Sequence, residues 1–402
     1  MVSQMFYPDG AATAKVMGDI ATSLVSEGFY VEVICQDRSY LDPSQKYVET
    51  EIWKGVKINR VILPKLNKNS LFQRMLLLFL FTVGAYRKLK NTEGDLFFAV
   101  SNPPWMGFFV SKIAKRDKAP FVFLVHDLYP DVMAKLEKVS EESLIFRFSK
   151  YITGKTLASS LKTVVLGRDA KEYLAEHYDL EDDKIEVITN WGPELSELGK
   201  VLEKERNGSH QNIFRVVYSG NIGETADMEI LVSTAKLCLQ QCENIEFLVI
   251  GSGKKKDWLE KQVRIFKLDN LRLFDFLPEK DYRETLDSAS ALFVSLEKNL
   301  KGISVPSKTY SYLSAGKPIL ALVPEGSEIA LEIEEDDFGL VVPYNSEAFM
   351  EAILSLKKDC EVHSRKSNNA TRVFKEKYNR SAVVSRFSEL FRSLLKEWSE
   401  KY

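Results

Sequence analysis

Residues 123–131 read FLVHDLYPD, and residues 302–323 read GISVPSKTYSYLSAGKPILALV. Each stretch holds side chains that could do chemistry. In the first, an apolar run delivers His126 and Asp127 to its end, and Asp131 follows a proline. A histidine at the exit of a buried strand can donate to substrate hydroxyls or act as a base. It can equally be a loop histidine satisfied by its neighbours. In the second, Pro306, Ser307 and Lys308 open a short helical pattern, and proline and serine are natural in a first turn. Lysine is not. Free N–H groups there already favour an anion, and an added cation costs roughly a few tenths of a kcal/mol. An anionic ligand beside Lys308 resolves that conflict; a merely solvated lysine is the alternative.

Glycine-bearing loops point to the same class of ligand. Gly10 follows the first apolar run, Gly220 and Gly223 lie in YSGNIGET, and Gly251 and Gly253 lie in IGSGKKK. Glycine lets backbone N–H groups approach a phosphate, and a following helix offers its positive end. Ordinary turns use glycine too; three such loops at strand ends suggest a diphosphate-bearing ligand. None is a G-x-x-x-x-G-K-[ST] loop, and Gly10 is not in a G-x-G-x-x-G pattern, which disfavours a dinucleotide cofactor. In VITNWGPE, Asn190 and Trp191 read as a structural hinge, although an asparagine can also hold a ligand hydroxyl.

These loops need elements to place them. Val2–Phe6 reads as a strand, followed by a helix with Ala12, Val16, Ile20 and Leu24 at four-residue spacing, ended by Gly28, and by a strand at Tyr30–Cys35. Further strands are expected at Val56–Leu63, Leu96–Val100, Phe121–Val125, Thr163–Leu166 and Ile185–Ile188. After a polar stretch, more are expected at Arg215–Ser219, Glu246–Ile250, Arg272–Phe276, Ala291–Ser295, Ile319–Val323 and Leu340–Val342. Those flanked by helical patterns are nearly continuous apolar runs, as fits strands buried on both faces of parallel sheets. The expected fold is α/β, two Rossmann-like domains facing across a cleft, with ligands at the C-terminal strand ends. The expected boundaries are residues 1–191, a linker at 192–212, a donor-binding domain at 213–378 and a final helix at 379–402.

Bulk properties narrow the class. A chain of 402 residues is too long for one core. A formal net charge of -2 argues against a nucleic-acid binder, which would show a basic excess. Cys35, Cys238, Cys242 and Cys360 lack disulfide or zinc spacing, so a reducing compartment fits and no metal is expected. The apolar run Met75–Ala85 is shorter than the about 20 residues a membrane span needs. Basic residues flank it, including Lys65, Lys68 and Arg74 before it and Arg87, Lys88 and Lys90 after it. It is either a helix buried under a sheet or one lying on an anionic membrane surface.

The stretches YPDGAATAKVMGDIATSLVSEGFYVEVI, HDLYPD, VITNW, VVYSGNIGE, FLVIGSG and VPSKTYSYLSAGKPI follow one another along nearly the whole chain. Together they resemble the retaining nucleotide-sugar glycosyltransferases of the GT-B fold, family four, and among them the bacterial L-fucosamine-transferase and colanic-acid-type enzymes of surface polysaccharide loci. The resemblance implies that Gly10 belongs to a loop closing over the donor and that His126 lines the sugar pocket. It implies that Gly220, Asn221 and Gly223 form the first glycine loop of the donor domain, and that Ser307 and Lys308 grip the diphosphate. The last helix would return to the first domain. Three departures stand out. Ile303 and Ser311 occupy the positions of the family's paired glutamates, the second of which usually holds the donor ribose. Glu224 and Asp227 replace a basic residue after the first glycine loop. The first strand begins late, from a naturally short edge or a missing start.

The expected activity is transfer of a sugar from a nucleotide-diphosphate donor, a UDP-sugar, to a lipid-linked glycan with retention. It would occur at the cytoplasmic face of the membrane, reached through Met75–Lys90. Catalysis would rest on His126 and Lys308, donor binding on the glycine loops with Ser307 and Ser311, and no metal or other cofactor would take part. A nucleotide-sugar epimerase of the same fold and a non-catalytic binding subunit are the alternatives.

Overall fold

The computed structural model describes residues 1–39, 42, 44–65, 71–193, 213–242 and 244–401. Apart from Gly192 and Pro193, the expected linker lies outside the described residues, as does Lys68. The chain divides into two units, one of Met1–Leu166, Ala170–Ile188 and Val384–Tyr402, the other of Gly167–Asp169 and Thr189–Val383.

In the first unit the elements run α1 (Ala12–Ser26), β1 (Glu32–Gln36), β2 (Thr50–Trp53), β3 (Val56–Val61), α2 (Leu71–Lys90), β4 (Phe97–Val100), α3 (Met106–Arg116), β5 (Phe121–Leu124), α4 (Asp131–Lys135), α5 (Leu144–Ser159), β6 (Lys162–Val165), α6 (Arg168–Tyr178) and β7 (Ile185–Val187). Strands β4-β5-β6-β7 form a parallel sheet, and β1-β3-β2 a second in which β2 is antiparallel. The expected first strand, Val2–Phe6, is reduced to a bridge: Val2 pairs with both Ile34 and Ala99, so the first residues join the two sheets. Its backbone still bonds to both neighbours, Val2 N–H donating to the Phe98 carbonyl at 2.8 Å and Ser3 N–H to the Ile34 carbonyl at 3.1 Å, while the Ser3 hydroxyl donates to the Met5 carbonyl at 2.7 Å. Strand β2 escaped the sequence reading because it is exposed and half polar.

Helix α1 buries Ala14, Met17, Ile20 and Leu24, whereas Ala12 is exposed. A strict four-residue repeat overshoots each turn by about 40°, so its stripe drifts off the core; alternating steps of three and four stay on it. Gly28, at φ +90°, then ends the helix region as expected.

The second unit contains β8 (Phe214–Asn221), α7 (Met228–Gln241), β9 (Ile245–Ser252), α8 (Lys256–Phe266), β10 (Leu271–Phe274), α9 (Glu279–Asp287), β11 (Ala291–Ser295), α10 (Lys308–Leu313), β12 (Ile319–Leu322), α11 (Glu328–Asp336), β13 (Gly339–Val341), α12 (Ser346–Lys358) and α13 (Cys360–Val373). Its sheet is parallel throughout, in the order β10-β9-β8-β11-β12-β13. Counted within the unit that is 3-2-1-4-5-6, the doubly wound Rossmann order. Phe247, Phe293 and Phe349 lie in its core, the last two with ring centroids 4.8 Å apart.

The final helix, α14 (Arg380–Lys401), belongs from Val384 onward to the first unit. Phe387 and Phe391 pack on Phe98 of β4 with centroids 6.1 and 5.2 Å away. The Trp398 indole N–H donates to the Lys118 carbonyl at 2.7 Å. The fold is therefore α/β with two Rossmann-like units.

Candidate functional site

Doubly wound sheets bind ligands outside the strand ends where the order reverses. In the second unit that point lies between β8 and β11. The two strands pair only at Ala291–Val216 and Leu292–Val217, so the sheet parts beyond them. Ser219, on β8, is left with a backbone N–H and carbonyl facing the gap. The hydroxyl of Tyr312, on α10, serves both: it accepts from Ser219 N–H at 2.5 Å and donates to Ser219 O at 2.9 Å. Tyr312 is fully buried. This tie seats α10 beside the glycine loop, and the Lys308 Cγ lies 3.8 Å from where a Gly220 Cβ would stand. The Lys308 ammonium lies 5.6 Å from the centroid of the Tyr282 ring, a cation–π arrangement.

The glycines have a steric reason of their own. Gly220 is in register with Gly251, and Asn221 with Ser252. A Cβ on Gly251 would stand 1.9 Å from the Gly220 carbonyl oxygen, and one on Gly253 2.3 Å from that of Ile222. Neighbouring loops are pressed together there, and only glycine fits. At Gly223 a Cβ would meet the Asn221 amide at 2.6 Å. Asp227 caps α7, its carboxylate accepting from Ile230 N–H at 3.0 Å, and Glu224 pairs with Lys254 at 3.3 Å. The acidic residues that replace the family's basic one thus have local work: one fills a positive helix end.

Two details differ from expectation. Ser307 does not cap α10: its backbone is already helical, at φ -57° and ψ -17°, and its side chain makes no capping bond. The short helix is tightened instead by Thr309, whose hydroxyl donates to the Pro306 carbonyl at 2.8 Å. Ser311 is half-buried, and among the described residues its hydroxyl has no hydrogen-bond partner. Gly192, expected to open the linker, is packed into this unit: its N–H donates to the Tyr378 carbonyl at 2.9 Å, and a Cβ would stand 2.5 Å from the Tyr310 carbonyl.

In the first unit the order reverses between the Val2 segment and β4. Gly10 lies exposed in the loop after that segment, where the Asp9 carboxylate accepts from Ala11 N–H at 3.0 Å. His126 follows β5 and donates its backbone N–H to Ser101 Oγ, after β4, at 3.1 Å. The residue is partly exposed, yet its Nε2 is buried and without a partner among the described residues. Burial lowers its pKa to about 4, so the ring is neutral at pH 7. It can exchange a hydrogen bond with a hydroxyl, but is a poor base. Asp131 of the same motif is committed elsewhere, accepting from the hydroxyls of Tyr173 at 3.0 Å and of Tyr178.

Sequence reasoning missed Tyr312 and Arg60. Arg60 is fully buried, donates to the carbonyls of Tyr7 at 2.7 Å and Val48 at 2.8 Å, and pairs with Glu51. Tyr7 in turn stacks on Trp53 at 4.1 Å, so the arginine holds the backbone three residues before Gly10. An arginine at an inward position of the alternating run VKINRV, in step with Val56 and Ile58, was the available signal.

A family model described as Glycosyltransferase Family 4 matches residues 13–191, and one described as Glycosyl transferases group 1 matches residues 213–359. The probable glycosyltransferase WbjE of Pseudomonas aeruginosa is 27% identical over 347 residues, 83% of this chain and 84% of that protein. Among solved structures, HepE of Anabaena in complex with UDP and glucose superposes with a TM-score of 0.66 at 14% identity, covering 98% of each chain. The sucrose-phosphate synthase of Thermosynechococcus elongatus gives 0.71 at 14% identity, over 96% of this chain and 94% of that one. At such identities the likeness concerns the fold. A matching glycosyltransferase model on each side of residues 192–212, on a fold of two Rossmann-like units, supports a family 4 glycosyltransferase of GT-B type.

Proposed function

We propose that this glycosyltransferase takes a UDP-linked hexose and transfers the sugar, with retained anomeric configuration, to a lipid-linked glycan of a cell-surface polysaccharide. The observation that carries the reading is Lys308 held beside Gly220 at the strand-order reversal, by a helix that Tyr312 ties to β8. A diphosphate there meets a cation and close backbone at once. UDP bound to HepE supports a UDP donor. Most of the catalysis then comes from positioning and from stabilising the leaving diphosphate. In this scheme Lys308 neutralises the leaving group, Gly220, Asn221, Gly223, Gly251 and Gly253 bring backbone to the donor, and Ser307 and Ser311 offer hydroxyls. His126 holds a sugar hydroxyl as a neutral donor or acceptor, and Gly10 closes over the donor. No metal or other cofactor enters the scheme, so turnover is expected to persist in EDTA.

Acceptor access would come through the segment Met75–Lys90 at the cytoplasmic membrane face. That helix is partly core, with Phe81, Ala85 and Leu89 buried, while Met75 and Phe79 are exposed. No helix among the described residues is long and apolar enough to cross a membrane. The test is transfer or donor hydrolysis across a panel of nucleotide sugars, with the anomeric configuration of the product read by NMR. Lys308→Ala is expected to weaken UDP binding by about 1.5–3 kcal/mol, the value of a hydrogen bond to a charged group. Unchanged affinity in calorimetry removes Lys308 from the mechanism, and inactivity with every donor removes the enzyme.

A further inference from the structure

Helix α5 presents an apolar edge to solvent. Leu144 is 81% exposed, Ile145 73%, Phe148 64% and Tyr151 59%. The opposite side is ordinary core: Phe146, Thr153, Thr156 and Leu157 are buried. Residues 144, 148 and 151 share one stripe at helical spacing, with Ile145 beside it. Scattered exposed apolar residues need no explanation, but four large ones on one edge of one helix do.

The charge around them is one-sided. Helix α3 packs between α2 and α5, so the three form one layer. Their sequences carry four, three and three Lys or Arg residues, ten in all, and no Asp or Glu, in a chain of net charge -2. Lys88, Arg116 and Lys150 are paired, with Glu49, Asp117 and Asp131. Lys112, Arg147 and Lys155 are exposed and hold no ion pair among the described residues. Lys155 lies over the Tyr151 ring at 5.4 Å, its stem along the apolar edge and its ammonium available beyond it. Glu141 and Glu142 stand just before α5 in the chain, and Glu141 is paired with Lys135 at 3.2 Å.

We propose that the α5 edge Leu144–Ile145–Phe148–Tyr151, with the basic layer of α2, α3 and α5 behind it, docks in the plane of an anionic lipid bilayer. Apolar side chains flanked by basic ones, on a helix whose other face is core, suit the boundary between headgroups and acyl chains. At 16 residues, or about 24 Å, α5 lies in that boundary rather than crossing it. A second copy of the chain is a poorer occupant. A symmetric dimer would set two basic layers against each other, and like charges there repel. The inference deepens the membrane contact proposed above and rests on that reading, but places its main insertion on a different helix.

The test uses the full chain and vesicles of phosphatidylcholine with and without phosphatidylglycerol, read by co-sedimentation. Wild type is expected to bind only the anionic vesicles, and less as salt rises. Phe148→Ser with Tyr151→Ser is expected to weaken binding about tenfold or more, since it removes two inserting side chains. Arg147→Glu with Lys155→Glu is expected to cost about fivefold or more per charge. All four sites are exposed, so melting temperature should not move; if the serine variant does misfold, the charge variant decides. Equal binding to neutral vesicles, unchanged binding by the variants, or a lipid-free dimer that Phe148→Ser dissolves overturns the proposal. A chain that binds vesicles through α5 but transfers no sugar removes the reaction and keeps the surface. Transfer to a water-soluble acceptor without vesicle binding does the reverse.

Discussion

Tyr312 replaces a missing strand with one oxygen. Its hydroxyl fills the place where β11 would have paired with Ser219, and this is what brings Lys308 to Gly220. Tyr312→Phe keeps the ring but leaves a buried N–H and a buried carbonyl unsatisfied. It should destabilise the protein by about 1–3 kcal/mol, read from the urea midpoint, and weaken nucleotide binding as the loop relaxes. His126 makes a different prediction. Its folded pKa, about 4, lies below the ordinary value near 6.5 because burial penalises the charged ring. The unfolded chain therefore binds the proton first. The stabilising contribution is full above pH 6.5 and lost as pH falls towards 4, by at most about 3 kcal/mol. His126→Asn should flatten the stability profile in that window; an unchanged profile would mean the ring is hydrated. At this scale the sequence was informative about type and silent about partners. His126 and Lys308 could be picked by their place after a strand or at a helix start. That Ser307 would not cap depended on backbone angles fixed by the turn before it.

Helix α11 shows how an element turns its own spacing into chemistry. Glu328, Glu332 and Asp336 recur every fourth residue and all three are buried. Glu328 pairs with Arg168 at 3.1 Å, and Asp336 with Lys377 at 2.7 Å. Glu332 lies between them and accepts from the Tyr310 hydroxyl at 3.2 Å. Burial, with the nearby Glu328 carboxylate, raises its pKa to about 8, so it is largely protonated at pH 7. For this group the folded pKa exceeds the unfolded one. Its stabilising contribution is full below about pH 4.5 and lost as pH rises through 8, on the order of a few kcal/mol. Glu332→Gln, neutral at every pH, should remove that loss; thermal melting between pH 5 and 9 measures it, and an identical slope in the variant would show Glu332 already ionised. The sign is opposite to that of His126, so the two variants should bend the stability curve at opposite ends. A three-carboxylate face reads in a sequence as a solvated one, and only the packing of Tyr310 and Arg168 against it makes it core.

The whole molecule is two doubly wound units, the first closed by the last helix. Residues 384–401 place Phe387, Phe391 and Leu394 in the first unit's core, with Phe98 against the first two. Ending the chain at Val383 should strip that face and destabilise the first unit by several kcal/mol, since each buried Phe lost is worth about 3–5 kcal/mol. Circular dichroism should then show an early melting transition; a single transition at the wild-type temperature would mean the helix contributes little. Alternation of apolar runs with helical patterns was enough to give the α/β class and most strand positions, because strands buried on both faces are apolar throughout. The glycine loops were legible as loops at strand ends, but their steric need was not: a Gly251 Cβ would stand 1.9 Å from the Gly220 carbonyl oxygen of the neighbouring strand. Strand order, the parting of β8 from β11, the burial of Arg60 and Glu332 and the exposure of the α5 edge were not. Each depends on which surface lies opposite a residue, and a pattern along one chain carries no record of its neighbours across the fold. Sequence alone thus determined the elements and the kinds of side chain at their ends. Tertiary structure decided which of those ends meet, because pairing and burial are set by contacts between residues far apart in the chain.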